Sequence, residues 1–243
     1  MDLRTVAIIQ ARTGSTRLPG KVLNDLAGEP MLAWVVERTR RASTLDEVVV
    51  ATSVLPADDL IAQLCVERGW PCFRGSETDV LDRYYHAALE FQADIIVRIT
   101  SDCPLIDSQL IDRHVERLSQ RWAEVDLVTN MLQQSFPLGL AVEALPLDVL
   151  IRMNRMSVAR ELREHVTTLA YVEPEWFQID NIVHTTDLSN MRWTVDTPED
   201  LDFVRRVVSF FGNDRFAWEE VLSLLAEHRD WAQINSTVTP RAG

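Results

Sequence analysis

Val6-Ala7-Ile8-Ile9-Gln10-Ala11-Arg12-Thr13-Gly14-Ser15-Thr16-Arg17-Leu18-Pro19-Gly20-Lys21 decides how the rest of the chain reads. Four consecutive apolar residues, Val6 to Ile9, run into a loop punctuated by glycine and proline, which is the pattern of a strand buried on both faces. The same kind of run returns at Val48-Val49-Val50-Ala51 and at Ile95-Ile96-Val97-Arg98-Ile99, with a weaker one at Cys72-Phe73. Between them the spacing predicts helices over 31–41, 58–67, 78–91 and 109–120. Continuous apolar strands alternating with helices predict an α/β domain, its mostly parallel sheet flanked by helices. In such sheets ligands bind outside the carboxyl ends of the strands. The loops after Ile9, Ile99 and Val195 are therefore where chemistry is expected.

The 243 residues fit a single domain over 1–235, with 236–243 as a loose tail. The stretch 126–148 is less regular: two strand-like pieces flank Phe136-Pro137-Leu138-Gly139. It is expected to be an excursion from the main sheet that carries substrate or dimer contacts. A formal net charge of -13 argues against nonspecific binding to nucleic acid, which needs a clustered cationic surface. It leaves room for a nucleotide, which needs a few cations in one cleft. No apolar run is long enough to cross a bilayer, so no membrane partner is expected. Residues 1–4 lead into the first strand without a signal-peptide pattern. The three cysteines, Cys65, Cys72 and Cys103, lack metal spacing, so reduced thiols in a cytoplasm are the expectation.

Three constellations sit at the expected loops. Gln10 to Lys21 combines two glycines, three hydroxyl residues, two arginines and a lysine. Glycines let backbone amides approach an anion closely, and the cations can neutralise a triphosphate. The loop is not a P-loop: five residues separate the glycines instead of four, and Val22 replaces the magnesium-binding hydroxyl. A solvated basic loop is the bland alternative, and its place directly after the first strand favours phosphate binding. In Thr100-Ser101-Asp102-Cys103-Pro104-Leu105-Ile106-Asp107, Asp107 abuts the next helix and suits a cap, whereas Asp102 is free to hold a hard cation. In Trp193-Thr194-Val195-Asp196-Thr197-Pro198-Glu199-Asp200, Thr197, Pro198 and Asp200 make a helix start with a capping box, which leaves Asp196 at a strand end on the same cleft rim.

These motifs, in this order, resemble the cytidylyltransferase family of CMP-Kdo and CMP-acylneuraminate synthetases, and within it the branch named for spore-coat polysaccharide biosynthesis. QARTGSTRLPGKVL, FRGSETDVLDRYY, IVRITSDCPLID, REHVT and RWTVDTPEDL carry the resemblance over residues 5–207. It implies a nucleotide-diphospho-sugar transferase fold of the Rossmann-like type and a transfer of CMP from CTP to a sugar, with pyrophosphate leaving. Surface polysaccharide or glycoconjugate synthesis is the implied context, and a homodimer the implied assembly. Arg12, Arg17 and Lys21 would hold the triphosphate, with Gly14 and Ser15 shaping the loop and Gln10 and Ala11 among the nucleotide-binding residues. Gly75 and Ser76 would sit near the base and Thr100 beside the nucleotide. Arg98 would reach the base or the sugar nucleotide, against the plainer reading of a structural ion pair. Asp102 and Asp196 would bind Mg²⁺, and Arg12, Lys21 and Asp102 would carry catalysis. Gly139, Glu143 and His165 would face the acceptor.

The sequence departs from the branch at Ser101, where glycine is usual, and at Leu138 and Ala141, where the branch has Arg and Asp. Two polar groups are thus missing from the expected acceptor wall, which predicts a narrower or less polar acceptor. Rival readings are a sibling transferase using another nucleoside triphosphate and a nucleotide-binding relative without turnover. A glycosyltransferase is disfavoured, because Thr100-Ser101-Asp102 lacks the first Asp of an Asp-x-Asp metal motif.

Overall fold

The computed structural model describes residues 3–238. In chain order it runs β1 (Thr5–Gln10), β2 (Asp25–Leu26), β3 (Glu29–Pro30), α1 (Met31–Arg40), β4 (Glu47–Ser53) and α2 (Asp59–Arg68). There follow β5 (Cys72–Gly75), α3 (Val80–Glu90), β6 (Ile95–Thr100), α4 (Ser108–Gln120), β7 (Leu127–Thr129) and β8 (Glu143–Pro146). The remainder is α5 (Leu147–Met156), α6 (Glu161–Glu164), α7 (Thr168–Val172), β9 (Ile179–Asn181), α8 (Pro198–Phe211) and α9 (Trp218–Glu227).

Seven strands form one sheet in the order β5-β4-β1-β6-β8-β7-β9, and β2 and β3 make a separate hairpin. β1 lies between β4 and β6, parallel to both, and β4 is parallel to β5. Alternation sends Ala7, Ile9, Val97 and Ile99 into one apolar cluster and Val6, Ile8 and Ile96 into the other. Both faces of the central strands are thereby covered, which is why they read as unbroken apolar runs. α3 begins at Val80 rather than at 78, because the Asp79 carboxylate caps it by accepting from Asp82 N at 2.9 Å. Asp107 caps α4, accepting from Gln109 N and Leu110 N.

The 126–148 stretch is not wholly an excursion. Its strand-like pieces are β7 and β8, and both belong to the main sheet: β8 pairs antiparallel with β6 and with β7, and β9 joins β7 in parallel. No crossover helix separates β7 from β8, so the two neighbours run in opposite directions. Between the two strands, residues 130–142 leave the sheet. Of the tail expected over 236–243, residues 239–243 lie outside the described residues. Asn235, just before it, is buried. Among the described residues no helix is long and apolar enough to cross a membrane.

Candidate active site

The loop after β1 is closed on itself and pinned from outside. Ser15 N and Gly20 N both donate to Thr13 O, at 2.8 and 3.0 Å, and Leu18 N donates to Ser15 Oγ. Thr13 in turn donates through its amide and its hydroxyl to Asp58 Oδ1, both at 2.7 Å, while Ser53 Oγ donates to Asp58 Oδ2. Burial alone would raise the Asp58 carboxyl, but the hydrogen bonds from Ser53 and Thr13 outweigh it and hold the pKa below the usual carboxylate value. Gly14 faces the loop after β5, since a Cβ there would lie 3.6 Å from Glu77 Oε1. Arg12 and Arg17 are exposed, and Ala11 is buried beneath them.

Gly20, at φ 67°, turns the chain into a short 3-10 helix (Lys21–Leu23) that aims Lys21 inward. The Lys21 ammonium spends its three N–H donors on Asp102 Oδ2 (2.9 Å), Asp196 Oδ1 (2.8 Å) and Val195 O (2.8 Å). Asp196 also pairs through Oδ2 with Arg17 (2.9 Å) and Arg192 (2.7 Å). Burial would lower the Lys21 pKa, yet the two carboxylates raise it above its ordinary value. For Asp196 burial pushes up, and Lys21, Arg192 and Arg17 together push it below the ordinary carboxylate value.

The segment that carries Asp196 is not a sheet strand. Beyond an isolated bridge between Leu138 and Arg192 it makes no ladder, because it is held by specific bonds instead. Val195 N donates to Asp102 O at 2.8 Å, and Trp193 N and Thr194 N donate to Leu138 O. Gly139 is required there. Its φ is 118°, and a Cβ would fall 2.6 Å from Thr194 N. Asp200 does more than close the capping box on Thr197: it also accepts from Arg192 Nε at 2.9 Å, Asp196 N at 2.9 Å and Asn235 Nδ2 at 2.8 Å.

Gly75 ends β5, and a Cβ on it would press within 2.9 Å of Phe73 and 3.1 Å of Arg83. Ser76 Oγ accepts from Asp79 N, and Ser76 O accepts from Arg83. Gln10 and Thr100 end β1 and β6 directly opposite each other. Ser101 N donates to Gln10 O, and Ser101 is not among the positive-φ residues, so its backbone does not call for glycine. His165 is exposed, two residues before the buried Thr167. Glu143, expected to face the acceptor, is instead buried, with 3% of its side chain exposed and both oxygens in use. Oε2 pairs with Arg98, and Oε1 accepts from Thr167 Oγ1 (2.7 Å) and Tyr171 OH (2.5 Å). A carboxylate this deep is stable only when fully hydrogen-bonded, so it is committed to structure rather than to solvent. Arg192, Asp58, Tyr171 and Asn235 had no role in the sequence reading. Arg192 alone left a trace, its spacing of four and eight residues before Asp196 and Asp200.

The chain is similar to known proteins along most of its length. The spore coat polysaccharide biosynthesis protein SpsF of Bacillus subtilis is 30% identical over 93% of this chain and 95% of its own. A 3-deoxy-manno-octulosonate cytidylyltransferase of Trichlorobacter lovleyi is 42% identical over 47% of this chain and 44% of its own. The structure of a cytidylyltransferase from Leptospira borgpetersenii superposes with a TM-score of 0.92 at 30% identity, covering 99% of this chain and all of that one. A family profile for cytidylyltransferases matches residues 6–231, which takes in every loop that converges on Lys21, and the chain belongs to the cytidylyltransferase family.

Proposed function

We propose that the chain is a Mg²⁺-dependent enzyme that transfers CMP from CTP to a sugar hydroxyl and releases pyrophosphate. The observation that carries the reading is the meeting of Lys21, Asp102 and Asp196 beside a glycine-bearing, cation-bearing loop at the carboxyl ends of β1 and β6. The names of the relatives supply the cytidylyl group and a sugar acceptor.

Asp102 and Asp196 suit a hard cation, because both offer carboxylate oxygens to one point, now shared by an ammonium. Among the described residues no third His, Cys, Asp or Glu joins them. Two carboxylates is the number magnesium takes when phosphates and water fill the rest of its shell. A bound magnesium would neutralise charge on the triphosphate. The protein's own part is orientation and electrostatics. Arg12, Arg17 and Lys21 draw the triphosphate into the loop, whose amides are kept in place by Asp58. An acceptor hydroxyl oxygen then forms a bond to the α-phosphorus as the bond from the α-phosphorus to the bridging β-phosphate oxygen breaks, pyrophosphate takes the bonding electron pair, and the hydroxyl proton passes to solvent water.

Pyrophosphate release, measured for CTP, UTP, GTP and dTTP against neutral and acidic sugars, tests this. CTP is expected to give the fastest release. Asp102→Asn is expected to cut turnover on the order of 10²-fold or more, the scale of losing a strong electrostatic contact in the transition state. Near-normal rates in both Asp102→Asn and Asp196→Asn, or a preference for UTP or GTP, would sink the reading.

A further inference from the structure

Cys65 lies in the last turn of α2, and Gly69, at φ 65°, reverses the chain so that Cys72 opens β5. Trp70 N donates to Cys65 O at 2.8 Å and closes the turn. On the sheet Cys72 pairs in register with Val50, which places the two side chains on one face. That face packs against the apolar cluster that contains Cys65, so both thiols occupy the layer between α2 and the sheet. There the Cys65 thiol donates a hydrogen bond to the Cys72 sulfur. Cys103 lies apart from the pair, buried, with Sγ 3.2 Å from Thr100 Oγ1.

The two sulfurs are not equivalent. Cys65 is fully buried and Cys72 half-buried, so a reagent reaches the pair through Cys72. The hydrogen bond from Cys65 pulls the Cys72 thiol below its ordinary value, against the effect of burial and with the help of Arg74. The same bond, together with burial, holds Cys65 above its ordinary value. An accessible sulfur with thiolate character beside a second thiol is the arrangement in which an oxidised cysteine is resolved as a disulfide.

We propose that Cys72 and Cys65 form a reversible disulfide that staples α2 to β5, with Cys72 the sulfur oxidised by a peroxide and Cys65 the resolving thiol. The Cys72 thiolate attacks one peroxide oxygen. The O–O bond breaks, the departing oxygen keeps its electron pair and takes a proton to leave as water, and Cys72 becomes a sulfenic acid. The Cys65 sulfur gives up its proton and bonds to the Cys72 sulfur as the S–O bond breaks, and the oxygen leaves as a second water. The two sulfurs lose two electrons in all and the peroxide gains them. A reducing compartment returns the pair to thiols. The staple acts on the frame of the site and not on the cleft. Arg74 Nε donates to Ser53 O and Nη2 pairs with Asp59, next to the Asp58 that holds the loop after β1. α2 and β5 are thus two arms tied to one turn, and the disulfide joins their far ends.

The test treats the whole reduced protein with a small excess of hydrogen peroxide, alkylates the remaining thiols and digests with trypsin without reductant. Cleavage after Arg68 and Arg74 puts the two cysteines on separate peptides, 42–68 and 69–74. These peptides are expected to appear joined, with Cys103 alkylated, and dithiothreitol is expected to part them. The oxidised protein is expected to melt roughly 5 °C higher, the scale of closing a short loop covalently in a chain of this size. Cys65→Ser is expected to stop at a sulfenic acid on Cys72 that dimedone traps, and Cys72→Ser to leave Cys65 reduced. Free thiols at both positions in the treated protein, oxidation of Cys103 ahead of Cys72, or a disulfide between two copies of the chain would each overturn the pairing. A Cys65–Cys72 disulfide that leaves Tm unchanged or lowers it would overturn the staple.

Discussion

Lys21 has no donor to spare: its three N–H groups go to Asp102, Asp196 and Val195 O. Under the proposed function a phosphate would recruit this ammonium only by exchanging with one of them, so Lys21 would link phosphate binding to the carboxylate pair. Lys21→Ala is expected to weaken CTP on the order of 10–100-fold, the scale of a charge-assisted contact, and cytidine little. Equal losses for the two ligands in calorimetry would show that the loop does not read phosphates. Asp196 gives a signed pH prediction. Its folded pKa lies below the ordinary carboxylate value, so its stabilisation is complete above the unfolded pKa and is lost as pH falls through the lower folded value. Asp196→Asn should therefore flatten the acid limb of Tm against pH below about 4. An unchanged acid limb in the variant would place the acid sensitivity elsewhere.

At the scale of elements, the loop after β1 owes its shape to the turn between β4 and α2. Asp58 precedes α2 but makes no cap bond to it; its oxygens serve Thr13 and Ser53. Asp58→Ala would strip the loop of its anchor and leave buried donors unpaired, at about 1–3 kcal/mol. The expected result is a lower Tm together with a higher KM for CTP, read by thermal unfolding and by steady-state kinetics. A fall in Tm with an unaltered KM would make Asp58 a stability residue only. The segment 130–142 and the Trp193–Asp196 stretch form a second such partnership, because Gly139 permits the backbones to touch.

Across the whole molecule, that partnership bears on the acceptor. Leu138 bridges to Arg192 and accepts from Trp193 and Thr194, so the segment lacking the branch's Arg and Asp lies against the one holding Asp196. A less polar wall there predicts a deoxy or acylated sugar as the acceptor of the proposed transfer. Leu138→Arg combined with Ala141→Asp is expected to change acceptor preference in the pyrophosphate assay. Unchanged kinetics with a shift toward smaller species in sedimentation would move this segment to a contact between copies of the chain.

The parallel core was legible because strands buried on both faces must be apolar throughout, as Val6–Ile9 and Ile95–Ile99 are. The caps at Asp107 and Thr197 were legible because they act over three residues. The loops rich in glycine and charge also declared themselves locally, and the ordered motifs gave the family. Only the tertiary structure decided which charges meet. Lys21 lies 81 residues from Asp102 and 175 from Asp196, and Thr13 lies 45 from Asp58. The sequence could not show that Glu143 is consumed by Arg98, Thr167 and Tyr171, nor that β7 and β8 enter the main sheet. Such pairings depend on strand order, and no local pattern in the chain records which strand lies beside which.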